Sequence, residues 1–493
     1  MQAYHAEYYD IDGESLMVAH DDGRSTLIET AIARQRAAHR ADPSPGVATR
    51  RRRLSALIAM LRDNRARIRA ALTEDFGVHP PIMSDLIEIA GGIGRAQYAI
   101  DHLDAWIAAE ARDVDASFGA ATARMEWQPK GVVGNMVPWN FPFEIGIGPL
   151  AEMLAAGNRV IVKPSELTPA CGALLAKMVA AAFDPDEVTV IEGDQTVGEA
   201  FAAASFDHLL FTGSTAVGKA VMRAAAARLT PLTLELGSKS PAILTPSGVD
   251  QRAVESIIGL KLAKSGQVCV SADHVFVPAD QLDRFIDLAR GYFTERAPGF
   301  TRSGDCTAII SDRHVDRLQA LLADAVAKGG RAIVLEDGAA PSVATRQMPL
   351  TLVTGVTPAM RIAQEEIFGP ILPVISYTAL DDVVAALWAA DKPLSIYIFG
   401  QDQSEIDGLI ARTVSGGVTV NGAALNTACI SLGFGGVGAS GFGRHHGVEG
   451  FREFSNHRAV FVRGPADHAD IIFPPYGASA AAAAEAVLGP IAA

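Results

Sequence analysis

Cysteine is scarce: Cys171, Cys269, Cys306 and Cys429 are the only four in 493 residues. Their uneven spacing contains no CxxC pair and gives no disulfide framework, which suits a reducing, cytoplasmic setting. Histidine numbers only 12, and neither HExxH nor a mixed Cys/His ligand set occurs, so no metal site is expected. Positive charge is also short. A net charge of −14 disfavours a sequence-independent nucleic-acid binder, which needs a basic surface. No stretch reaches the roughly 18 clean apolar residues of a membrane span. The first residues carry Glu7, Asp10 and Asp12 and lack the apolar core of a signal peptide. The apolar end from Ala480 to Ala493 is short and interrupted by Glu485 and Pro490, so it is no membrane anchor.

What is present describes a well-packed globular chain. With 49% hydrophobic and 20% charged residues disorder is excluded, and the length implies two or three structural units. The one basic cluster, Arg50 to Arg53, is followed by Leu54, Ile58 and Leu61. That spacing reads as the solvated start of an amphipathic helix. Residues 25–110 keep a 3.6-residue apolar period, broken at Pro43-Ser44-Pro45-Gly46. From Met125 short β-rich runs alternate with helical segments. Strands are expected at 159–163, 188–191 and 208–211, with a helix at 170–182. Such alternation implies βαβ units and a parallel sheet. A second α/β stretch begins near Ser240, so a cleft is expected between two modules, with Glu235 and Cys269 bracketing the crossing. The Ala-rich end from Gly477 is low in complexity and expected to be mobile.

Five windows carry candidate chemistry. Cys269 sits in Ser265-Gly266-Gln267-Val268-Cys269-Val270, with Glu235 34 positions upstream. A thiol can hold an acyl group and a carboxylate can activate the water that releases it; taken alone, a lone Cys is more often a small buried hydrophobe. In Pro138-Trp139-Asn140-Phe141-Pro142-Phe143, Asn140 could donate its amide to an oxyanion or cap the following helix. Lys163 and Glu166 end a strand where open α/β sheets bind ligands, and could equally form a surface ion pair. Phe211-Thr212-Gly213-Ser214 turns from strand to helix and could admit a pyrophosphate or be a plain cap. Gly213, Gly218 and Lys219 match Walker spacing, but Ala220 replaces the Mg²⁺-binding hydroxyl, which argues against a nucleotide triphosphatase. Glu365-Glu366-Ile367-Phe368-Gly369-Pro370 pairs acids with a ring that could flank a nicotinamide, or simply ends a charged helix.

Taken in this order and spacing, the windows resemble the aldehyde dehydrogenase superfamily from about residue 27 to 476. Asn140 to Cys269 spans 129 residues, similar to the class 3 branch. Gln35-Arg36-Ala37-Ala38, Asp75-Phe76-Gly77, Leu154 to Arg159, Gly435 to Gly441 and Phe473-Pro474-Pro475-Tyr476 look most like coniferyl aldehyde dehydrogenases. The resemblance implies an α/β fold with a Rossmann-like cofactor domain (1–110 and 131–238), an α/β catalytic domain (239–447) and a small β oligomerisation arm (111–130 and 448–476), then a tail at 477–493. It implies Cys269 as nucleophile, Glu235 as general base and Asn140 as oxyanion donor. Lys163 and Glu166 would bind the adenine ribose, Gly213 and Ser214 the pyrophosphate, and Glu366 the nicotinamide ribose. Phe368 and Trp139 would line the cofactor cleft. The implied cofactor is NAD, with NADP tolerated in that branch; the partners are an aldehyde and a second subunit.

Three departures from the family pattern stand out. Ser238 replaces a Gly in Glu235-Leu236-Gly237-Ser238-Lys239, a Cβ that threatens the turn behind the base. Gly433-Phe434-Gly435-Gly436 replaces Pro-Phe-Gly-Gly, and Ala424-Leu425-Asn426-Thr427 lacks a His expected in the coniferyl branch. Ser271-Ala272-Asp273-His274 replaces Ala-Pro-Asp-Tyr. The last two are expected to surround the substrate mouth. The implied reaction is aldehyde oxidation through a thiohemiacetal and thioester, with the Cys269 pKa expected to be lowered by the site and the cofactor's positive charge. A coenzyme A-acylating enzyme and a silent scaffold on the same fold are the alternatives; Glu235 argues against the first.

Overall fold

The computed structural model describes residues 23–115, 118–465 and 473–489. Five helical runs come first, from Arg24–Ala41 to Ala90–Ile107, the fourth a short turn at Pro81–Met83 that passes into a π-helical turn at Ser84–Ile89. The apolar faces of Val47–Asp63, Arg65–Phe76 and Ala90–Ile107 carry Leu54, Leu57, Leu61, Leu72 and Leu103 into one core with the helices Glu144–Ala155 and Pro169–Ala182. The basic cluster departs from expectation. Arg50 and Arg53 are buried, because they share the helix face of Leu54, Leu57 and Leu61. Arg50 donates to the carbonyls of Pro45 and Ala155 at 2.8 Å each, and Arg53 pairs with Glu187 at 3.0 Å. Buried guanidinium groups need such partners; these brace the helix against the sheet.

Three sheets follow. The six-stranded sheet runs in the order Gly441–Phe442, Leu232–Leu236, His208–Gly213, Val132–Met136, Arg159–Lys163 and Val188–Val190. All its pairings are parallel except that of Gly441–Phe442 with Leu232–Leu236. The chain passes from Val132–Met136 outward one way, then returns to place His208–Gly213 on the other side. Val132–Met136 and His208–Gly213 therefore flank a topological switch point, where the strand ends open a crevice.

The seven-stranded sheet runs Arg331–Val334, Thr351–Thr354, Ile371–Tyr377, His274–Pro278, Pro241–Leu244, Ser395–Phe399 and Gly417–Val420, parallel except at its first pairing. The chain crosses between the sheets at residues 237–240, between the strands Leu232–Leu236 and Pro241–Leu244. The later segment Gly441–Phe442 returns to pair with the first sheet, Gly441 opposite Glu235. The third sheet, Glu110–Arg112, Thr122–Pro129 and Ser455–Val462, is antiparallel. At the end, Ala478–Leu488 is helical, as its alanines favour, and no residue of it is buried.

Candidate functional site

Glu235 sits near the end of its strand, buried, and neither carboxylate oxygen has a hydrogen-bond partner among the described residues. Burial pushes its pKa well above the ordinary carboxylate value; Arg444 and Arg95 oppose this and Glu453 adds to it. Cys269 is half-buried. Burial pushes its thiol up to about 12, helped by the negative charges of Glu366 and Glu235. The protein alone does not supply the expected lowering: it surrounds this sulfur with apolar atoms and carboxylates, both of which favour the thiol.

The turn that presents Cys269 is unusual in its backbone. Lys264, Ser265 and Gly266 take φ of 51°, 52° and 72°, three successive left-handed residues. Such strain persists only where surroundings hold it. Ser265 donates to the Thr307 carbonyl, and the Gln267 amide donates to the carbonyls of Lys264 and Ala308 at 3.1 Å each. Gln267 also accepts from the Ile310 N–H at 3.0 Å. Tyr397 donates its hydroxyl to the Val270 carbonyl.

Asn140 does not cap the helix Glu144–Ala155. Its amide donates to the Gln267 carbonyl at 3.1 Å, two residues from Cys269. Glu88 does the capping instead, accepting from the N–H groups of Phe143 and Glu144 at 3.0 Å each with one oxygen. Its other oxygen accepts from Lys264 Nζ at 2.9 Å, and both side chains are wholly buried. The Lys264 ammonium lies 4.6 Å from the Phe76 ring centre and 4.4 Å from that of Phe141. One ion pair thus ties the Asn140 loop to the Cys269 turn. Removing one partner of a buried pair strands a charge, so Lys264→Met is expected to cost about 3–5 kcal/mol of unfolding free energy. Urea denaturation measures it; a loss below ~1 kcal/mol, the range of a surface pair, contradicts this strut.

Lys163 and Glu166 come together as an ion pair at 3.2 Å, with Lys163 buried and the Glu166 carboxylate 46% exposed. The Val137 N–H donates to the Lys163 carbonyl at 3.0 Å, so this pair borders the Asn140 loop. Gly213 has no room for a side chain, since a Cβ would lie 2.6 Å from the Phe211 ring. Ser214 caps the helix Thr215–Ala226, accepting from the Val217 N–H. Glu366 accepts from the Ser238 N–H at 3.1 Å, and burial raises its pKa to about 8. A Cβ on Gly237 would come within 2.1 Å of the Glu366 carboxylate, so that glycine is required for the close approach. Phe368 holds a φ of 50° and meets Trp139 edge-on, ring centres 5.3 Å apart.

Ser238 does not disturb the turn. It is absent from the left-handed residues, and its hydroxyl accepts from the Leu394 N–H at 3.0 Å while pairing with Ser240. In the segment 271–274 all four residues are buried; Asp273 binds Lys239 and accepts from the Ile367 N–H at 2.8 Å. It anchors the Glu366–Phe368 segment. Segment 424–434 does approach the nucleophile, because Phe434 packs with Val270 and Leu394 against Cys269. Sequence reasoning missed Glu88, Lys264, Arg95 and His445, whose partners lie far away in the chain. Among the described residues no cluster of three or more potential metal ligands occurs, and no helix is long and apolar enough to cross a membrane.

A sequence profile described as the aldehyde dehydrogenase family matches residues 6–460. The coniferyl aldehyde dehydrogenase of Pseudomonas sp. (strain HR199) is 41% identical over 451 residues, covering 91% of this chain and 93% of that relative. A substrate-bound Staphylococcus aureus AldH structure superposes with a TM-score of 0.87 at 30% identity, over 92% of this chain and 98% of that one. A Mycobacterium tuberculosis aldehyde dehydrogenase complexed with NAD⁺ gives 0.79 at 27% identity, over 90% of each chain.

Proposed function

The chain belongs to the aldehyde dehydrogenase family, and from that premise we propose that it oxidises an aromatic, coniferyl-like aldehyde to the carboxylic acid with NAD, through a thiohemiacetal and a thioester on Cys269. The observation that carries this reading is a half-buried thiol that feels the charge of a buried carboxylate whose oxygens lack hydrogen-bond partners among the described residues. The Cys269 sulfur bonds the carbonyl carbon as Glu235, when ionised, takes the thiol proton and passes it to solvent; Glu235 and Glu366 are both carboxylates acting on that thiol. The Asn140 amide has two N–H bonds and spends one on Gln267. The other, with the backbone N–H of Cys269, serves the oxyanion, a contribution of about 3 kcal/mol per donor. Glu235 then takes a proton from the water that attacks the thioester, and the acid leaves as the thiol re-forms.

The residues around the switch-point crevice fit a dinucleotide. NAD, when bound, supplies the acceptor for the hydride leaving the thiohemiacetal carbon. Lys163 and the exposed Glu166 carboxylate would hold the adenine ribose, the Gly213–Ser214 turn the pyrophosphate and Glu366 the second ribose. Trp139 and Phe368 would flank the ring. The absence of a side chain at Gly213 and Gly237 supports this, because each glycine keeps a crowded wall open to backbone approach. Glu166 would repel a 2′-phosphate, so NAD is preferred over NADP.

The Pseudomonas relative named for coniferyl aldehyde supports an aromatic substrate. A panel of aldehydes with each cofactor tests these points together. The expected ranking by kcat/KM places cinnamyl-type aldehydes first, with NAD above NADP and acid formed without coenzyme A. Equal kcat/KM with the two cofactors refutes the Glu166 argument, and a strict requirement for coenzyme A refutes hydrolysis by Glu235. A homodimer is proposed from the strand Ser455–Val462, which pairs on one side only among the described residues and exposes Phe461 and Val462. Four free cysteines support a cytoplasmic setting.

A further inference from the structure

His445 stands beside the base, with Nε2 3.8 Å from the Glu235 carboxylate. Its other ring nitrogen, Nδ1, is 3.0 Å from Arg95 Nη2. A guanidinium has donors and no lone pair, so Nδ1 must be the acceptor. The proton of the neutral ring therefore sits on Nε2, on the side of Glu235. Arg95 is itself fixed. It is buried, donates to Glu152 at 3.2 and 2.6 Å and to Glu144 at 3.1 Å.

The backbone of His445 is fixed as well. Its N–H and carbonyl pair with Phe434 at 2.8 and 2.7 Å, and Phe434 packs against the Cys269 turn. Gly441, four residues before His445, lies opposite Glu235 in the sheet. The ring is thus held on both sides while the Glu235 oxygens lack any hydrogen-bond partner among the described residues.

We propose that His445, locked as the Nε2–H tautomer by Arg95, is the positioning residue for Glu235. A contraction of less than about 1 Å brings this N–H within hydrogen-bond range of the carboxylate. The bond is stronger to the ionised carboxylate than to the protonated acid, so it favours the active form of the base and aims it. Other charges acting on Glu235 are Arg444 from the same return segment, Glu453 from the helix Gly447–Glu453, and Arg95 from the helix Ala90–Ile107. Cys269 faces it from the nucleophile turn, and His446 lies against His445.

This inference rests on Glu235 being the base, and the experiment separates the two claims. Thioester hydrolysis is followed across pH in wild type, His445→Phe and His445→Gln, each rate divided by the NADH burst so that only folded, acylated sites count. Phe fills the site without a donor, whereas Gln restores one. His445→Phe is expected to move the rising limb of hydrolysis up by about one pH unit, a tenfold loss below the midpoint. His445→Gln should recover most of that loss, and burst amplitude should change little. A Phe profile that coincides with wild type, or a Gln variant no better than Phe, overturns the proposal. If His445→Phe gives no burst, the ¹⁵N signals of wild-type His445 decide: Nδ1 protonated overturns the proposal, Nε2 protonated upholds it. A Glu235→Gln enzyme that hydrolyses normally would instead sink the reading of the base.

Discussion

Cys269→Ala is expected to lose turnover by a factor on the order of 10⁴–10⁶ while binding NAD as before, since losing the nucleophile removes the covalent route entirely. Cys171 and Cys306 are buried and present no sulfur to an aldehyde. Cys429 is exposed, beside Ser431 in the segment 424–434. Stopped-flow NADH fluorescence reads turnover, and titration with NAD reads binding. Aldehyde oxidation within tenfold of wild type contradicts the assignment of Cys269. A loss of NAD binding in parallel would point to a collapsed turn.

Glu235→Gln is expected to slow hydrolysis by about 10²–10⁴-fold, the range of a general base. The amide keeps the shape of the carboxyl group and removes its ability to take a proton. In the wild type the sign of the pH dependence follows from burial. A carboxyl raised above its ordinary value is protonated at low pH and becomes a base only as pH rises through the raised value. Hydrolysis should therefore increase with pH, and the Gln variant should lose that limb. The Cys269 thiol, pushed up to about 12, also ionises more as pH rises. The two are separated by the phase observed: the burst reports sulfur attack, the steady rate reports thioester release. A Gln variant retaining the pH-dependent limb contradicts Glu235 as the base.

The parts of this account that were legible in the sequence are those written locally. The βαβ alternation, the apolar runs at 159–163 and 208–211, and the Gly213–Ser214 turn each carry their signal within a few residues, and strands and a capped helix stand there. Glu88 and Lys264 are different. They are 176 positions apart, and neither window tells a buried strut from a surface charge. Arg50 and Arg53 misled for the same reason: a guanidinium enters the interior when distant carbonyls and Glu187 receive it. Ser238 looked like a threat to the base because a glycine usually stands there. Its backbone is not left-handed, and Leu394, 156 positions away, uses its hydroxyl. His445 came into view only once Arg95 and Glu235 were placed on either side of it.

The central claim is that Cys269 holds the acyl group between hydride loss and hydrolysis, and that Glu235 ends this state. Glu235→Gln enzyme, mixed with coniferyl aldehyde and NAD and quenched in acid after the burst, should carry one acyl group per active site. Mass spectrometry of its peptides should place that group on Cys269, with one NADH released per adduct. NADH formed without any adduct on Cys269, or an adduct on another residue, would contradict the account.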